Sequence, residues 1–489
     1  MTTLKRRSVL AGLLSTPLMG AQIVQAAESS DLPAKWDKEY NVIIVGSGGA
    51  GLATAVSAAQ HGLKDIVILE KMAYTGGNTA ISGGAFNSYD PDRQSKQKIK
   101  DSPELHAQQT LKGGDYRANP ELVKTLTENS YETVKWLESM GVQFEPKVHQ
   151  VYGGLYPRAH AAVGALGSDY VKALVAQCKK LDIPILNNCK VVKVYREHPN
   201  TGKVLGVEYI NKDGQKVTAR ARIAVVVASG GFGANPTMRA LHDPRLLKLT
   251  TTNHPGATGD LIPLLQDIGA EVTGMDHIQC NPGCPPGRKQ RVVFHLWPAD
   301  LIMVDRQGKR FVAEDERRDV VRDAILALPD QTAFSIVDAD GFSHFNPGHV
   351  AMAKKGLETG DAWTADTIPE LAKKMGVDPK ALEQTIAQFN AGVDAKKDAL
   401  GKKERNLRKI QKGPFWAGYA GMSVHHTMGG IVINNKTEVL DRYGKVIPHL
   451  HAVGEVTGGI HGSNRLGGNA IADIFTYGRL TGIELAKQE

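Results

Sequence analysis

Residues 41–51 read Asn41-Val-Ile-Ile-Val45-Gly46-Ser-Gly48-Gly-Ala-Gly51. The short, continuous, β-branched run that ends at Val45 is typical of a buried parallel strand, and the small residues after Gly51 predict a helix. A second apolar run, Ile66–Leu69, ends at an acid, Glu70. A Gly-x-Gly-x-x-Gly turn between a strand and a helix, followed about 20 residues later by an acid, is a dinucleotide-binding fingerprint. The sequence therefore predicts a Rossmann-like α/β domain.

Each part of this fingerprint has its own physical task. Gly46 permits the tight turn, Gly48 lets the backbone approach a pyrophosphate, and Gly51 lets the helix and the strand pack closely. The N-terminus of the helix then turns its positive end toward the phosphates. Glu70 is expected to accept hydrogen bonds from the ribose hydroxyls of the adenosine half. The sequence carries one such fingerprint, so it offers no second site for NADPH.

The chain changes character twice after this domain begins. Ile223–Ala228 is another buried strand of the same kind. From about Ile278 to Met422, charged amphipathic segments such as Asp378–Val393 replace the glycine-rich style, which predicts an inserted second domain. Residues 423–489 then return to glycine-rich loops.

Composition excludes several classes of protein. The chain has 489 residues, of which 42% are hydrophobic and 22% charged, and this balance is typical of a globular protein rather than a disordered one. Its 52 glycines are about 11% of the chain, against a usual ~7%, and this excess suits backbone pressed against a large ligand. The net charge of +8 is mild, and no basic stripe is interleaved with aromatic residues, so nucleic acid is not an expected partner.

The N-terminus resembles an export signal. Lys5-Arg6-Arg7-Ser8-Val9-Leu10 precedes an uncharged segment that ends in Val24-Gln25-Ala26, where small residues suit signal peptidase. We interpret residues 1–26 as a cleaved twin-arginine signal and expect a periplasmic protein. A Sec signal or a membrane anchor is the alternative, but Pro17 and Gly20 make a poor spanning helix. No later segment reaches ~18 consecutive apolar residues, so no stable membrane insertion is expected.

The four cysteines support neither a metal site nor a dense disulfide framework. Cys178, Cys189, Cys280 and Cys284 lack metal-ligand spacing, and no Cys-x-x-Cys-His attaches a c-type haem to this chain. We therefore predict no metal. Cys280 and Cys284 can close a small disulfide in an oxidising compartment or remain two free thiols in a turn.

Several further motifs follow the fingerprint in order along the chain. They are Gly76-Gly-Asn-Thr79, Asn253-His-Pro-Gly-Ala-Thr-Gly-Asp260, Gly308-Lys-Arg-Phe311, His425-His-Thr-Met-Gly-Gly430 and Gly462-Ser-Asn-Arg-Leu-Gly-Gly-Asn469. With them the chain resembles the flavoprotein part of the periplasmic flavocytochrome c fumarate reductases and urocanate reductases. These belong to the succinate dehydrogenase and fumarate reductase flavoprotein superfamily. The resemblance runs from Tyr40 to the end and includes no haem domain.

The resemblance implies FAD, bound non-covalently, in a discontinuous Rossmann-like domain. That domain comprises residues 38–277 and 423–489, and an α+β capping domain, residues 278–422, closes over the isoalloxazine. The helix that begins near Asn469 can direct its positive end at flavin N1 and O2. Besides the fingerprint glycines, the implied FAD contacts are Ala50, Glu70, Asn78, Thr79, Gly83, Gly84, Ala228, Asp260, His425, Glu455, Ala470 and Ile471.

The family's chemistry is transfer of a hydride from flavin N5 to one alkene carbon of an α,β-unsaturated carboxylate, with protonation of the other. His426 and Arg465 match the family's carboxylate clamp, which holds charge that develops in the transition state. Arg318 matches the arginine that serves as proton donor. A guanidinium almost never loses its proton, so a purely electrostatic role for Arg318 is the alternative, although the resemblance favours the donor.

One arm of the substrate site departs from the family pattern. Fumarate reductases hold the second substrate carboxylate with a histidine before a proline and with a later threonine-glutamate pair. The matching positions are here Asn281 before Pro282 and Val293 before Phe294, and the family's proton relay falls on Phe294 and Trp297. An unpaired carboxylate buried there is costly, which disfavours fumarate. A monocarboxylate fits better, either an arylacrylate such as cinnamate or a small branched acrylate such as methacrylate.

This arm also defines the candidate substrate pocket and leaves the proton route open. Each aromatic candidate can instead belong to the core. The pocket candidates are Asn281, Phe294, His295, Trp297 and Tyr156. The possible proton sources for Arg318 are Glu314, Glu316, Asp319 and His295.

The predicted function is periplasmic, FAD-dependent reduction of the C=C bond of an unsaturated carboxylate in anaerobic respiration. The expected electron donor is a separate multihaem cytochrome c. One alternative is a fumarate or urocanate reductase with an altered second-carboxylate site, or an enzyme running the reverse reaction. A second alternative, from another class, is an electron-transfer flavoprotein without substrate chemistry.

Overall fold

A computed structural model of the chain describes residues 32–164, 166–285, 287–288, 292, 294–345 and 347–488. The predicted signal, residues 1–26, and Val293 lie outside these described residues. The strands, in chain order, are β1 (Lys38–Val45), β2 (Ile66–Leu69), β3 (Phe86–Asn87), β4 (Ala159–His160), β5 (Ile185–Leu186), β6 (Lys190–His198), β7 (Thr201–Ile210), β8 (Lys216–Val227), β9 (Thr250–Thr251), β10 (Val272–Thr273), β11 (Ile278–Cys284), β12 (Leu301–Val304), β13 (Phe334–Val337), β14 (Ala362–Ala365), β15 (Phe415–Tyr419), β16 (Gly421–Thr427), β17 (Gly430–Ile431), β18 (Glu438–Leu440) and β19 (Val446–Ala452).

The helices alternate with groups of these strands along the chain. None of them, within the described ranges, has the length and apolarity that crossing a bilayer requires. In chain order they are α1 (Gly49–Gln60), α2 (Gly77–Ile81), α3 (Pro91–Lys96), α4 (Pro103–Gly113), α5 (Pro120–Ser139), α6 (Gly167–Lys180), α7 (Pro236–His242), α8 (Leu261–Asp267), α9 (Arg318–Leu326), α10 (Ala339–Phe342), α11 (Pro347–Thr359), α12 (Ile368–Met375), α13 (Pro379–Asp394) and α14 (Asn469–Ala486).

The largest sheet is the Rossmann-like sheet that the fingerprint predicts. Its strands run in the order β18-β19-β8-β1-β2-β5, and β7 connects β6 to β8. The strands β19, β8, β1, β2 and β5 are parallel neighbours. In this register Val45 lies beside both Leu69 and Val227, and Val227 lies beside Ala452. These residues end β1, β2, β8 and β19. The loops that leave these four strands therefore meet at one edge of the sheet, where doubly wound folds bind their ligands.

Helix α1 packs against this sheet and against α14 because both helices present small residues. A Cβ added at Gly478 would lie 2.7 Å from the carbonyl oxygen of Ala50, and one at Gly482 would lie 2.5 Å from the backbone nitrogen of Ala58. Such close approach is possible only without side chains at these positions. The packing places the middle of α14 against α1.

A second hydrophobic core lies within the segment predicted as an insertion. The sheet β12-β13-β15-β14 carries it, together with α12 and α13. In α13 the side chains of Leu382, Ile386 and Phe389 are buried on one face, as the sequence pattern predicts. The predicted capping boundaries fall in β11 and β16, which pair with each other antiparallel. The division into FAD-binding and capping domains stays a prediction.

The pairing of β11 with β16 contains a bulge at His425, one of the predicted FAD contacts. Gln279 pairs with His426 and Cys280 pairs with Val424, so β16 contains one extra residue, His425, at this step of the ladder. A bulge of this kind kinks the strand and redirects its side chains. Cys280 and Cys284, both in β11, are buried free thiols, which resolves the open alternative between thiols and a disulfide.

Candidate active site

A large cavity opens at the carboxyl edge of the parallel sheet. Its volume is about 2240 Å³, and its walls include the fingerprint loop, the start of α14 and the segment around Arg318. Pockets for one small ligand usually enclose ~300–1,000 Å³. The cavity therefore has room for a dinucleotide and a second molecule.

The fingerprint glycines lie where each predicted role requires. Gly46 has φ +112°, and a Cβ there would lie 2.4 Å from the carbonyl oxygen of Ala228. A Cβ at Gly51 would lie 2.0 Å from the carbonyl oxygen of Gly46, so Gly51 closes the contact between strand and helix. Nothing lies within 4 Å of a Cβ built on Gly48, which lines the cavity. This open backbone is the cradle that a pyrophosphate needs.

Glu70 lies at the end of β2 and orders the neighbouring loops. One carboxylate oxygen accepts hydrogen bonds from the backbone nitrogen of Ser47 (2.9 Å) and from its hydroxyl (2.7 Å), and the other accepts one from the nitrogen of Met72 (2.9 Å). A carboxylate has about four acceptor positions, so Glu70 can still accept from a ribose hydroxyl.

The middle of the cavity contains polar atoms that suit the same ligand. The Asn78 amide donates to Asn253 Oδ1 (2.6 Å) and to Glu455 Oε2 (3.3 Å), and the Thr79 hydroxyl accepts from the nitrogen of Gly49 (3.0 Å). Two other polar atoms that line the cavity, Ser229 Oγ and His254 Nε2, are buried without a hydrogen-bond partner among the described residues. Buried polar atoms without a partner are rare in proteins, and a bound polar ligand would explain these two. The polar groups on this wall therefore fit FAD. The other predicted FAD contacts on the cavity wall are Ala50, Gly83, Gly84, Ala228, Asp260, His425, Ala470 and Ile471.

The three predicted catalytic residues converge on one glutamine that sequence reasoning missed. Arg318 donates from one guanidinium nitrogen to Gln279 Oε1 (2.7 Å), and Arg465 donates to the same oxygen (2.8 Å). The Gln279 amide nitrogen donates to Asn464 Oδ1 and to the carbonyl oxygen of Arg465, both at 3.0 Å, which fixes the amide so that its oxygen faces the guanidiniums. His426 is the strand partner of Gln279. The available signal was position: Gln279 precedes the Asn281-Pro282 pair by two residues on one strand.

This cluster carries excess positive charge in a dry environment. Burial and the nearby Arg318 guanidinium lower the pKa of Arg465 to about 9. Burial, followed by the charge of Arg465, lowers the pKa of His426 well below its ordinary value, so its imidazole is neutral at pH 7. Burial raises the pKa of Glu455, which lies 3.4 Å from His426 Nδ1 and accepts a hydrogen bond from the backbone nitrogen of Thr427. A buried cluster with these shifts is typical of a functional site.

Tyr152 and Gly153 hold Arg318 from the opposite side and were not predicted. The guanidinium carbon of Arg318 lies 4.9 Å from the centre of the Tyr152 ring, and Arg318 donates to the Tyr152 carbonyl oxygen at 2.6 Å. Gly153 has φ +72°, and a Cβ there would lie 2.6 Å from Arg318 Nε. The tyrosine-glycine-glycine sequence at 152–154 was the available signal. The pair of glycines lets the backbone at Gly153 approach the Arg318 side chain closely.

Three of the five predicted pocket residues lie outside the cavity wall. Phe294 packs in the core with Phe345 (ring centres 5.6 Å apart), so the core alternative is the correct one for it. His295 is buried one layer behind the wall, edge-on to the Tyr152 ring at 5.1 Å. Tyr156 lies outside the cavity wall, and its hydroxyl donates to the carbonyl oxygen of Lys100.

Asn281 and Trp297 do line the cavity, as predicted. Trp297 stacks on Phe345 with ring centres 5.5 Å apart and meets His349 edge-on at 5.7 Å. The Asn281 side chain is 2% exposed, and its Oδ1 has no hydrogen-bond partner among the described residues. The cavity wall thus includes a neutral amide, a flat aromatic surface and the imidazole of His349.

The candidate proton sources differ in what they already bind. Glu314 is fully buried between Arg310 (2.8 Å) and Lys402 (3.2 Å), which indicates a structural ion cluster. Asp319 pairs with Arg317, the partly exposed neighbour of Arg318 (2.6 Å). Glu316 lines the cavity, and His295 lies behind Tyr152.

Comparisons with known proteins agree with this geometry. Residues 41–471 match the FAD binding domain family. The chain is 37% identical over 449 residues to a fumarate reductase (cytochrome) of Shewanella frigidimarina, covering 91% of this chain and 77% of that protein. It is 32% identical over 493 residues to the acrylate reductase flavoprotein subunit of Shewanella woodyi, covering 97% of each. The open conformation of a flavocytochrome c3 fumarate reductase superimposes with a TM-score of 0.79 at 31% identity, covering 93% of this chain and 79% of that one. The chain therefore belongs to the family of FAD-dependent oxidoreductases that contains the fumarate and acrylate reductase flavoproteins.

Proposed function

We propose that the protein reduces the C=C bond of an α,β-unsaturated monocarboxylate whose tail is uncharged. Cinnamate represents the favoured arylacrylates, and methacrylate the small branched acrylates. The observation that carries this proposal is the pair of buried guanidiniums, Arg318 and Arg465, which share one neutral acceptor, Gln279 Oε1, at the wall of a cavity that fits FAD.

The guanidinium pair makes this end of the cavity an anion site. Two buried cations repel each other, and a neutral amide oxygen compensates them only in part. A substrate carboxylate removes that imbalance, and Arg465 can bind it through two parallel hydrogen bonds. The buried Nε of Arg465, which has no partner among the described residues, is a donor still available for this purpose.

The same residues account for catalysis. When bound, FAD supplies a hydride to one carbon of the alkene. Negative charge then develops toward the carboxylate, and Arg465 with neutral His426 stabilises that charge more than the ground state. Arg318 is held by Gln279 and Tyr152 in a fixed orientation, from which it protonates the other alkene carbon. An arginine can act as an acid here because its charge is buried beside a second cation.

The opposite end of the cavity favours an uncharged tail. Asn281 and Trp297 provide no charge for a second carboxylate, and leaving a buried carboxylate unpaired costs about 2 kcal/mol or more. Arg408, a cation on the outer wall, is already paired with Asp300 at 2.7 Å. We therefore propose that fumarate is a poor substrate.

We further propose that the electrons come from a separate multihaem cytochrome c in the periplasm. The support is the single dinucleotide fingerprint and the twin-arginine pattern at Arg6 and Arg7. FAD is held non-covalently in this proposal, and residues 278–422 cap it. Rapid NADH oxidation by the purified protein without added cytochrome contradicts the external donor.

The substrate proposal is tested with the purified holoenzyme and reduced methyl viologen. Fumarate, urocanate, methacrylate and cinnamate are offered separately, and viologen oxidation gives kcat/KM for each. We expect cinnamate or methacrylate to exceed fumarate by at least about 30-fold, because only fumarate leaves a carboxylate unpaired. Strong turnover of fumarate alone contradicts the argument from Asn281 and Trp297. Turnover of none of the four contradicts the assignment as a reductase of unsaturated acids.

A further inference from the structure

We propose that Asn281 selects substrates whose tail carries a hydrogen-bond donor, an O–H or N–H group on a planar ring. This inference rests on the proposed function, since it concerns the tail of the same unsaturated carboxylate. It narrows the substrate class from any neutral acrylate to hydroxyaryl or N–H-bearing heteroaryl acrylates.

The first observation is an unsatisfied acceptor. Asn281 lies in β11, is 2% exposed and lines the cavity, yet its Oδ1 has no hydrogen-bond partner among the described residues. Buried side-chain acceptors are almost always paired, and each exception needs an explanation. A ligand that donates to Oδ1 is the explanation the cavity offers.

The second observation is the position of Asn281 relative to the anion site. Side chains alternate along a strand, so Gln279 and Asn281 share one face of β11, separated by about 7 Å at a rise of ~3.4 Å per residue. Gln279 anchors the two guanidiniums that take the carboxylate. A group that meets Asn281 is therefore on the substituent of the far alkene carbon.

The third observation is a flat aromatic surface on the wall of the same cavity. Trp297 is held flat by stacking on Phe345, and His349 meets it edge-on. Aromatic faces favour another planar ring. A ring in the tail can lie against Trp297 while an O–H or N–H group on that ring reaches Asn281.

These observations predict different binding for substrates of similar size. A second carboxylate, as in fumarate, accepts hydrogen bonds and cannot satisfy an acceptor. A phenyl ring without a polar group fills the space but leaves Oδ1 unpaired, whereas a hydroxyphenyl or imidazolyl ring donates to it. A site built to hydrogen-bond its substrate rejects the analogue that lacks the group.

The experiment compares matched substrates on the holoenzyme and on N281L, in which leucine has nearly the shape of asparagine but no polar atoms. Viologen-linked kcat/KM is measured for cinnamate, 3-hydroxycinnamate, 4-hydroxycinnamate and urocanate. We expect at least one donor-bearing acid to exceed cinnamate by about 10-fold or more in the natural protein, and this ratio to fall to within about twofold in N281L. The hydroxy acids and urocanate distinguish an O–H donor from an N–H donor.

N406L is the matched control, because Asn406 lines the outer cavity and its amide is bound to Asp315 at 2.7 Å. It should retain the natural preference. Calorimetry with 3-phenylpropanoate and its 3- and 4-hydroxyphenyl counterparts gives a second readout that does not need turnover, and the Kd ratios should change in the same way. Equal preference in the natural protein and N281L, by both measurements, overturns the inference. The proposed function survives that outcome if cinnamate is still reduced, and it fails separately if no unsaturated acid is reduced.

Discussion

The two ends of the substrate cavity differ sharply although one strand supplies both. At Gln279, β11 meets two guanidiniums and a neutral histidine. Two residues further on, at Asn281, it lines the cavity with an amide whose oxygen has no hydrogen-bond partner among the described residues. The first end suits the carboxylate that every acrylate carries. In the proposed function, the second end takes the part in which acrylates differ, which would separate reaction and specificity along a single strand.

The largest expected effect is at the charged end. Arg318→Met removes the proposed proton donor and one cation, and we expect kcat/KM to fall about 1,000-fold or more. The control is Arg317→Met, because Arg317 is partly exposed and paired with Asp115 and Asp319. It should stay within about threefold of the natural protein. Equal losses in the two variants would show that total charge, not the position of Arg318, controls the rate.

Gln279 tests whether the two guanidiniums act as a unit. Gln279→Leu removes their shared acceptor, and we expect kcat to fall about 100-fold because both arginines lose their orientation. Gln279→Glu keeps the acceptor but neutralises part of the positive charge. It should therefore raise KM more than it lowers kcat, measured with cinnamate and reduced viologen. A leucine variant with natural kcat contradicts the bridging role.

The pKa of Arg465 predicts the pH dependence of the charged end. Its pKa is lowered to about 9, so the guanidinium is protonated below this pH and neutral above it. Carboxylate binding needs the protonated form. We expect kcat/KM to be level to about pH 8 and to fall about tenfold per pH unit above 9. A bound carboxylate stabilises the cation, so kcat should hold to higher pH than kcat/KM. A level profile to pH 10.5, with the protein still folded, contradicts this assignment.

The smallest effects concern the neutral end, where one aromatic residue lines the cavity and another does not. Trp297→Leu should lower the ratio of cinnamate to methacrylate turnover about 10-fold, because it removes the flat surface against which the cinnamate ring would lie. Phe294→Leu should leave that ratio within about twofold and lower the free energy of unfolding by about 1 kcal/mol. Substrate assays and thermal melts of both variants check this contrast. A changed ratio in the Phe294 variant would restore it to the pocket.

The sequence predicted the parallel-sheet core better than the substrate site. The strand to Val45, the turn at Gly46–Gly51 and the strand Ile66–Leu69 are local patterns with a fixed geometric consequence, and the structure confirms them. The roles of Gln279 and Tyr152 depend on contacts with Arg318, which is 39 and 166 residues away from them. Such contacts have no local pattern. The placement of Phe294 and Tyr156 could not be predicted, because an aromatic residue suits a core and a pocket equally well.

The bulge at His425 has a consequence for how such sites can diversify. Adjacent residues of a regular strand point to opposite sides, yet His425 and His426 both border the cavity. The extra residue thus lets neighbouring positions serve different ligands. Deleting it would turn one of the two imidazoles away, an abrupt loss that no later substitution repairs easily. Replacement of Asn281 is gradual by contrast, so we expect lineages of such enzymes to vary there while keeping the chain length at 425 constant.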